Sequence, residues 1–276
     1  MQRPPEDEQG RDFAIQWFLL LAPRVDGWQA EGDGDETSPD TMTPDRGSSL
    51  AGDDRDTEPF QISHAATTAI GVAIDHLHCL LQSVVSGAGT PDVKITTRPW
   101  ALYSLLRGAI ENAATAIWLL APATRGERLT RRVRLGLQDA RHADDVLKLM
   151  GRTPERVAQA LVDLAPIADK ANFVLPPKGG SLPASEIVRE AGASFDLGAD
   201  DALLVWRACS GIAHGDTWAL TSLPTHEVLN DPADAVLNTR VTLDISQLAG
   251  WTRRAVRLIE EAQRLYAARR LNHIGS

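Results

Sequence analysis

Cysteine is scarce in this sequence, which contains only Cys79 and Cys209 among its 276 residues. Two cysteines this far apart give neither a disulfide framework nor a cysteine-rich metal site. A disulfide-stabilised secreted protein is therefore not indicated. We expect a reducing, cytoplasmic setting.

Long apolar runs are also missing. The apolar stretch FAIQWFLLLAP at 13–23 has 11 residues, whereas a membrane-spanning helix needs about 20. The residues before it, RPPEDEQGRD, are rich in acids where a signal peptide carries basic residues. We expect a cytoplasmic protein without membrane association.

The sequence also has no strong basic excess. Its formal net charge is −9, and residues 1–59 hold 15 acids against 5 arginines. The remaining residues are nearly balanced, with 22 acids and 23 lysines or arginines. A dedicated duplex-DNA-binding domain is expected to be basic, so the charge pattern does not indicate one.

The acidic N-terminal part predicts a leader rather than a folded domain. Residues 31–59 combine acids with glycine, proline and small polar residues and show no apolar periodicity. Such a segment buries too little surface to offset the entropy lost on ordering. We therefore expect residues 1–59 to be a largely disordered leader and residues 60–276 to form one helical domain.

From residue 60 onward the apolar residues recur at spacings of three and four, which predicts amphipathic helices. Helices are expected in the ranges 60–85, 98–121, 124–151, 153–171, 184–192, 200–220 and 246–270. The apolar residues of the second range run nearly all round the helix, which indicates a central, buried position. Two short β-prone pieces in 225–244 predict one small hairpin. The fold class is an all-α helical bundle.

The segment WRACSGIAHGDTW at 206–218 carries the main candidate site. On a helix, Arg207 and His214 lie two turns apart on one face, about 10 Å along the axis. Ser210 and the small Gly211 lie between them and leave space for a ligand. A guanidinium can hold a phosphate there while an imidazole transfers a proton near neutral pH.

These residues resemble a known family. The R-x6-H spacing on a late helix is similar to the R-x4-6-H motif of HEPN-domain proteins. The segments RGAIENAATAIWLL and SGIAHGDTWAL, with an arginine-rich helix between them, also resemble uncharacterised HEPN-like bacterial proteins. Many HEPN proteins are metal-independent ribonucleases of toxin–antitoxin and phage-defence systems, and their site generally forms between two subunits. The resemblance implies an α-helical domain, RNA as substrate and a homodimer.

Roles follow for the candidate residues. His214 would act as acid and base, Arg207 as the phosphate clamp, and Glu111 as the residue that orients Arg207. A second group would contact the substrate and comprises Ser210, Arg107, Arg128 and Arg132.

A structural role for the same cluster is the alternative. Glu111 belongs to the predicted central helix, where an unpaired charge is very costly. Arg207 is its expected partner, and Glu111→Ala would then cost about 3–5 kcal/mol. In that case the chain is a non-catalytic helical module that binds a partner protein or a nucleotide.

No metal site or cofactor is expected. Asp75, His76 and His78 are close in sequence, but the two histidines are two residues apart and face different sides of a helix. The tryptophans are expected to pack in the core rather than to stack on bases. This expectation covers Trp100, Trp118, Trp206, Trp218 and Trp251.

Overall fold

The computed structural model describes residues 8–33, 42–87, 94–178, 180–230 and 238–272, which contain eleven helices. The first six are α1 (Glu8–Asp33), α2 (Ser49–Thr57), α3 (Ile62–Val84), α4 (Ala101–Leu120), α5 (Arg125–Leu149) and α6 (Arg156–Asp163). The others are α7 (Ala165–Lys170), α8 (Ala184–Ala193), α9 (Ala199–His214), α10 (Thr217–Ser222) and α11 (Ile245–Arg270). The predicted all-α fold is confirmed.

Two small antiparallel sheets accompany the helices. Strand β3 (Thr225–Val228) pairs with β4 (Thr239–Thr242), and the register runs from Thr225 opposite Thr242 to Val228 opposite Thr239. This is the predicted hairpin, although its connection at 231–237 lies outside the described residues. The other sheet joins β1 (Val85–Ser86) to β2 (Lys94–Ile95), two-residue strands that are too short to leave a periodic signal in the sequence.

The described chain divides into two compact units. The first draws on the ranges Met1–Ser38, Gly71–Ala113 and Asp200–Ile259, and the second on Pro39–Ile70, Ala114–Ala199 and Glu260–Ser276, as far as these are described. Residue 60 is therefore not a domain boundary, in contrast to the expectation of a leader followed by one domain. Residues before position 60 belong to both units, because α1 is part of the first unit and α2 is part of the second.

In the first unit, α1 contributes a buried apolar face. Ala14, Phe18, Leu21 and Val25 follow a helical spacing and are at most 4% exposed. The guanidinium of Arg253, on α11, lies 5.4 Å from the centre of the Trp17 ring. The short apolar run noted at 13–23 is therefore part of a longer helix that buries one of its faces.

In the second unit, α2 is held by ion pairs. Leu50 and Asp53 are fully buried, and the side chain of Ser48 caps the helix by accepting a hydrogen bond from the Ala51 amide at 3.1 Å. Asp53 accepts hydrogen bonds from Arg128 at 2.5 and 2.9 Å. The expectation that 31–59 lacks stable structure is therefore wrong for Ser49–Thr57. A buried ion pair with Arg128, 75 residues away in the chain, rather than an apolar period, positions this helix.

Helix α4 is buried along most of its length, as its all-round apolar pattern predicts. The completely buried side chains on it include Leu102, Leu106, Ile110, Ile117, Trp118, Leu119 and Leu120. Arg107 and Glu111, which lie about 40° apart around the helix axis, form a half-buried polar stripe on the part of α4 that belongs to the first unit. This stripe is where the candidate site lies.

Among the described residues, no helix has the length and apolar character needed to cross a membrane.

Candidate functional site

The segment 206–218 forms two helices instead of the single helix expected over 200–220. Helix α9 ends at His214, Gly215 takes a φ of +74°, and α10 starts at Thr217. The amide of Asp216 donates to the Gly211 carbonyl at 2.9 Å, which closes the turn. A left-handed backbone at this position favours glycine, so Gly215 is the local cause of the break.

Arg207 and His214 both lie on α9 and are both exposed. Their predicted placement on one helix holds, because the break comes after His214. Among the residues that the structure describes, the Arg207 side chain makes no hydrogen bond or ion pair. Ser210 lies between them and is half-buried. Arg207 is thus a cation open to solvent on the same helix as the imidazole.

His214 is paired with an arginine from α4. Nη1 of Arg107 lies 2.9 Å from Nε2 of His214. A guanidinium only donates hydrogen bonds, so Nε2 accepts and carries no proton in this arrangement. The lone pair that a general base would use therefore points at Arg107.

Glu111 fixes the position of Arg107. Oε1 of Glu111 accepts hydrogen bonds from Nε of Arg107 at 2.9 Å and from the indole Nε1 of Trp206 at 2.7 Å. The Arg107 guanidinium also lies 5.9 Å from the centre of the Trp206 ring. These contacts leave the Arg107 head group pointing towards His214.

The structure corrects the expected Glu111–Arg207 bridge. Glu111 pairs with Arg107, four residues earlier on the same helix, and both side chains are 28% exposed. Trp206 faces α4, and its neighbour Arg207 is turned away by about 100° because of the helical rotation per residue. Glu111 is therefore a positioning residue for Arg107, and its ion pair is only partly buried.

Two arginines assigned to substrate binding have other roles. Arg128 is 3% exposed and is bound to Asp53 and to the Pro122 carbonyl in the second unit. Arg132 donates from Nε to the Phe60 carbonyl at 2.9 Å. Burial lowers the pKa of the Arg132 guanidinium, while the Asp139 carboxylate raises it. Neither side chain presents an open cation, so we correct both assignments to structural roles.

The histidines near Asp75 have protein partners. Nδ1 of His76 donates to the Val72 carbonyl at 2.8 Å, and Nε2 of His78 lies 3.1 Å from the Asp26 carboxylate. Within the described ranges, no group of three or more His, Cys, Asp or Glu side chains could hold a metal ion.

The tryptophans do not all behave as expected. Trp118 is completely buried, as predicted, and its Nε1 donates to Glu190 at 2.8 Å. Trp100 and Trp218 are 42% and 51% exposed, so the expectation of core packing is wrong for both. For Trp218 the available signal was Gly215, which ends α9 and turns the following chain back over Gly211.

Comparisons with known proteins return nothing for this chain: no family model, no curated protein and no solved structure matches it.

Proposed function

We propose that this chain is a HEPN-like, metal-independent endoribonuclease of a bacterial defence or toxin-type system. The observation that carries the proposal is the exposed imidazole of His214, with Arg107 at 2.9 Å and the open Arg207 on the same helix. A base and two cations are the groups that cleavage of RNA by its own 2′-hydroxyl requires. The resemblance to the R-x4-6-H motif supports the same chemistry.

The proposed reaction uses only the substrate and these side chains. Nε2 of His214 takes the proton of the 2′-hydroxyl as the 2′-oxygen bonds to phosphorus. The bond from phosphorus to the 5′-oxygen then breaks, and the imidazolium returns a proton to the leaving oxygen. Arg207 and Arg107 neutralise the charge that develops on the phosphate oxygens. The products are a 2′,3′-cyclic phosphate and a 5′-hydroxyl.

Arg107 has to move for this reaction to occur. Its guanidinium occupies the lone pair of His214 in the free protein, so a bound phosphate must draw it away. Glu111 accepts hydrogen bonds from Nε of Arg107 and from the Trp206 indole. Because the guanidinium is planar and rigid, the whole head group of Arg107 has to rotate to leave Nε2 of His214. The substrate itself would therefore release the base.

We further propose that the active form is a homodimer. This part rests on the resemblance, which implies a site formed between two subunits. Light scattering of the purified protein would measure the mass of the particle directly.

A second candidate function is a non-catalytic helical module that binds a partner protein or a nucleotide. One observation favours it. Glu111 accepts hydrogen bonds from both Arg107 and Trp206, and Arg107 also contacts His214, so the four side chains form one hydrogen-bonded network without a ligand. A network of this kind can serve packing specificity alone.

The test is RNA cleavage in the presence of EDTA. Wild-type protein should cut a structured RNA and leave 2′,3′-cyclic phosphate ends, and His214→Ala should lower the rate by at least about 100-fold. The matched control is His142→Ala, since His142 is also exposed but lies on α5 in the second unit. Both variants should keep the wild-type melting temperature, because each removes an exposed ring.

Two results would reject the proposal. One is wild-type protein that cuts no RNA under any ionic condition. The other is His214→Ala protein that cuts as fast as wild type, which would assign the activity to a contaminant or to another site. Inactive wild-type protein with a clearly destabilised His214→Ala variant would favour the non-catalytic module.

A further inference from the structure

Trp218 lies beside the candidate site, although it follows the break after α9. A Cβ atom placed on Gly211 would lie 2.6 Å from Cζ2 of Trp218. The indole therefore rests directly on the backbone of α9 at Gly211. Along α9, Gly211 is one turn after Arg207 and three residues before His214, which is about 6 Å and 4.5 Å of helical rise.

The indole is presented to solvent in a polar setting. Trp218 is 51% exposed, and the neighbouring His214, Asp216 and Thr217 are exposed as well. The indole N–H has no hydrogen-bond partner within the described ranges. Close packing on Gly211 holds one part of the ring system still, while the rest remains open.

We infer that Trp218 is a stacking platform for a nucleobase of single-stranded RNA, next to the phosphate held by Arg207. The inference rests on the proposed function and adds a binding residue to it. Every base has an aromatic face, and stacking on a fixed indole beside a cation binds single strands with little sequence preference. An apolar protein partner would require a wider apolar surface, whereas the exposed chain neighbours of this ring are polar.

The test measures binding separately from cleavage. The probe is a fluorescently labelled, 2′-O-methyl oligoadenosine of ten nucleotides, which cannot be cut, and its matched counterpart is an abasic strand of equal length and charge. Wild-type protein should bind the adenosine strand about tenfold more tightly or better than the abasic strand. Trp218→Ala should lose this difference, and Trp218→Phe should keep most of it.

Trp100→Ala is the control variant, because Trp100 is similarly exposed and lies outside α9 and α10. It should bind both strands as wild type does. Melting temperatures show whether each variant is folded. The wild-type comparison of the two strands needs no variant and therefore tests the inference even if Trp218→Ala does not fold.

Equal wild-type affinity for the adenosine and abasic strands would overturn the inference, whether or not the protein cleaves RNA. So would a Trp218→Ala variant with unchanged binding that changes from dimer to monomer, because the indole would then belong to a contact between copies. Base-dependent binding without cleavage of natural RNA would support the stacking role and reject the nuclease.

Discussion

Nη1 of Arg107 and Nε2 of His214 lie 2.9 Å apart, although the two residues are separated by 107 positions in the chain. This hydrogen bond joins α4 to the last residue of α9 inside the first unit. It makes Arg107, rather than Arg207, the cation that touches the imidazole. It also places Glu111 behind Arg107 and not beside Arg207.

The energetic weight of Glu111 follows from this arrangement. Glu111→Gln keeps an acceptor for the Trp206 indole and loses only a partly exposed ion pair, so it should lower the free energy of unfolding by less than about 1 kcal/mol. Glu111→Ala removes the acceptor as well and should cost about 1–3 kcal/mol. Urea denaturation of both variants measures these values. A loss of about 3–5 kcal/mol for either would indicate a fully buried bridge instead.

Among the ion pairs described above, the one between Asp53 and Arg128 should cause the largest loss in free energy of unfolding when one partner is removed. Asp53 has no exposed surface and Arg128 is 3% exposed, so Asp53→Asn leaves a buried guanidinium without its counter-charge. The expected loss in free energy of unfolding is about 3–5 kcal/mol. Arg125→Gln is the control: Arg125 binds the same carboxylate, but its side chain is 44% exposed, and its loss should stay below about 1 kcal/mol. Similar losses for the two variants would show that burial does not set the strength of this pair.

Gly211 should not tolerate a side chain. In Gly211→Ala the new Cβ would meet Trp218 at 2.6 Å and the Ala219 Cβ at 2.8 Å, which forces α10 away from α9. The expected destabilisation is about 1–3 kcal/mol. Gly71→Ala on α3 is the matched change, since a Cβ there meets nothing within 4 Å, and it should stabilise by about 0.5–1 kcal/mol. Thermal melts compare the two, and a stabilised Gly211→Ala protein would disprove the contact.

The two cysteines should differ in reactivity. Cys209 is completely buried, and burial raises the pKa of its thiol above the ordinary value of 9.0, whereas Cys79 is exposed. A thiol reagent at pH 8 should therefore modify Cys79 alone in native protein and both cysteines in denaturant. Native reaction at both sites would contradict the burial of Cys209.

The same thiol predicts a pH dependence of stability. In the folded chain Cys209 stays protonated at pH values where the unfolded chain ionises. The buried, protonated thiol therefore contributes fully to the free energy of unfolding below about pH 9, and this contribution falls as the pH rises further. Relative to Cys209→Ala, wild type should lose up to about 1.4 kcal/mol of unfolding free energy per pH unit above 9. A difference that is constant from pH 8 to 10.5 would refute this.

Much of the architecture could be predicted from local pattern. The apolar spacing of three and four residues placed α3, α4, α5, α8 and α11 close to their observed bounds, because a helix that packs on one side repeats its buried residues at that interval. The β3–β4 hairpin was also predicted, from short β-prone pieces on either side of turn-forming residues. The placement of Arg207 and His214 on one helix required only the rise and rotation of that helix.

The partners of the charged residues could not be predicted in the same way. Asp53 and Arg128 are 75 positions apart, and Arg107 and His214 are 107 apart. No local period relates positions so far apart, and the sequence offers several arginines as possible ion-pair partners for each acidic residue. For this reason the local pattern predicts disorder where α2 lies and pairs Glu111 with Arg207 instead of Arg107.

The sequence by itself determined the helices α3, α4, α5, α8 and α11, the place of the hairpin and that an arginine and a histidine share α9, because backbone hydrogen bonding and apolar periodicity act over a few residues. Only the tertiary structure decided which cation faces His214, which arginines are buried and that Trp218 is open to solvent. Those outcomes depend on which helices come into contact. The resulting burial decides how much each ion pair contributes to stability and whether a ligand can reach each charged group.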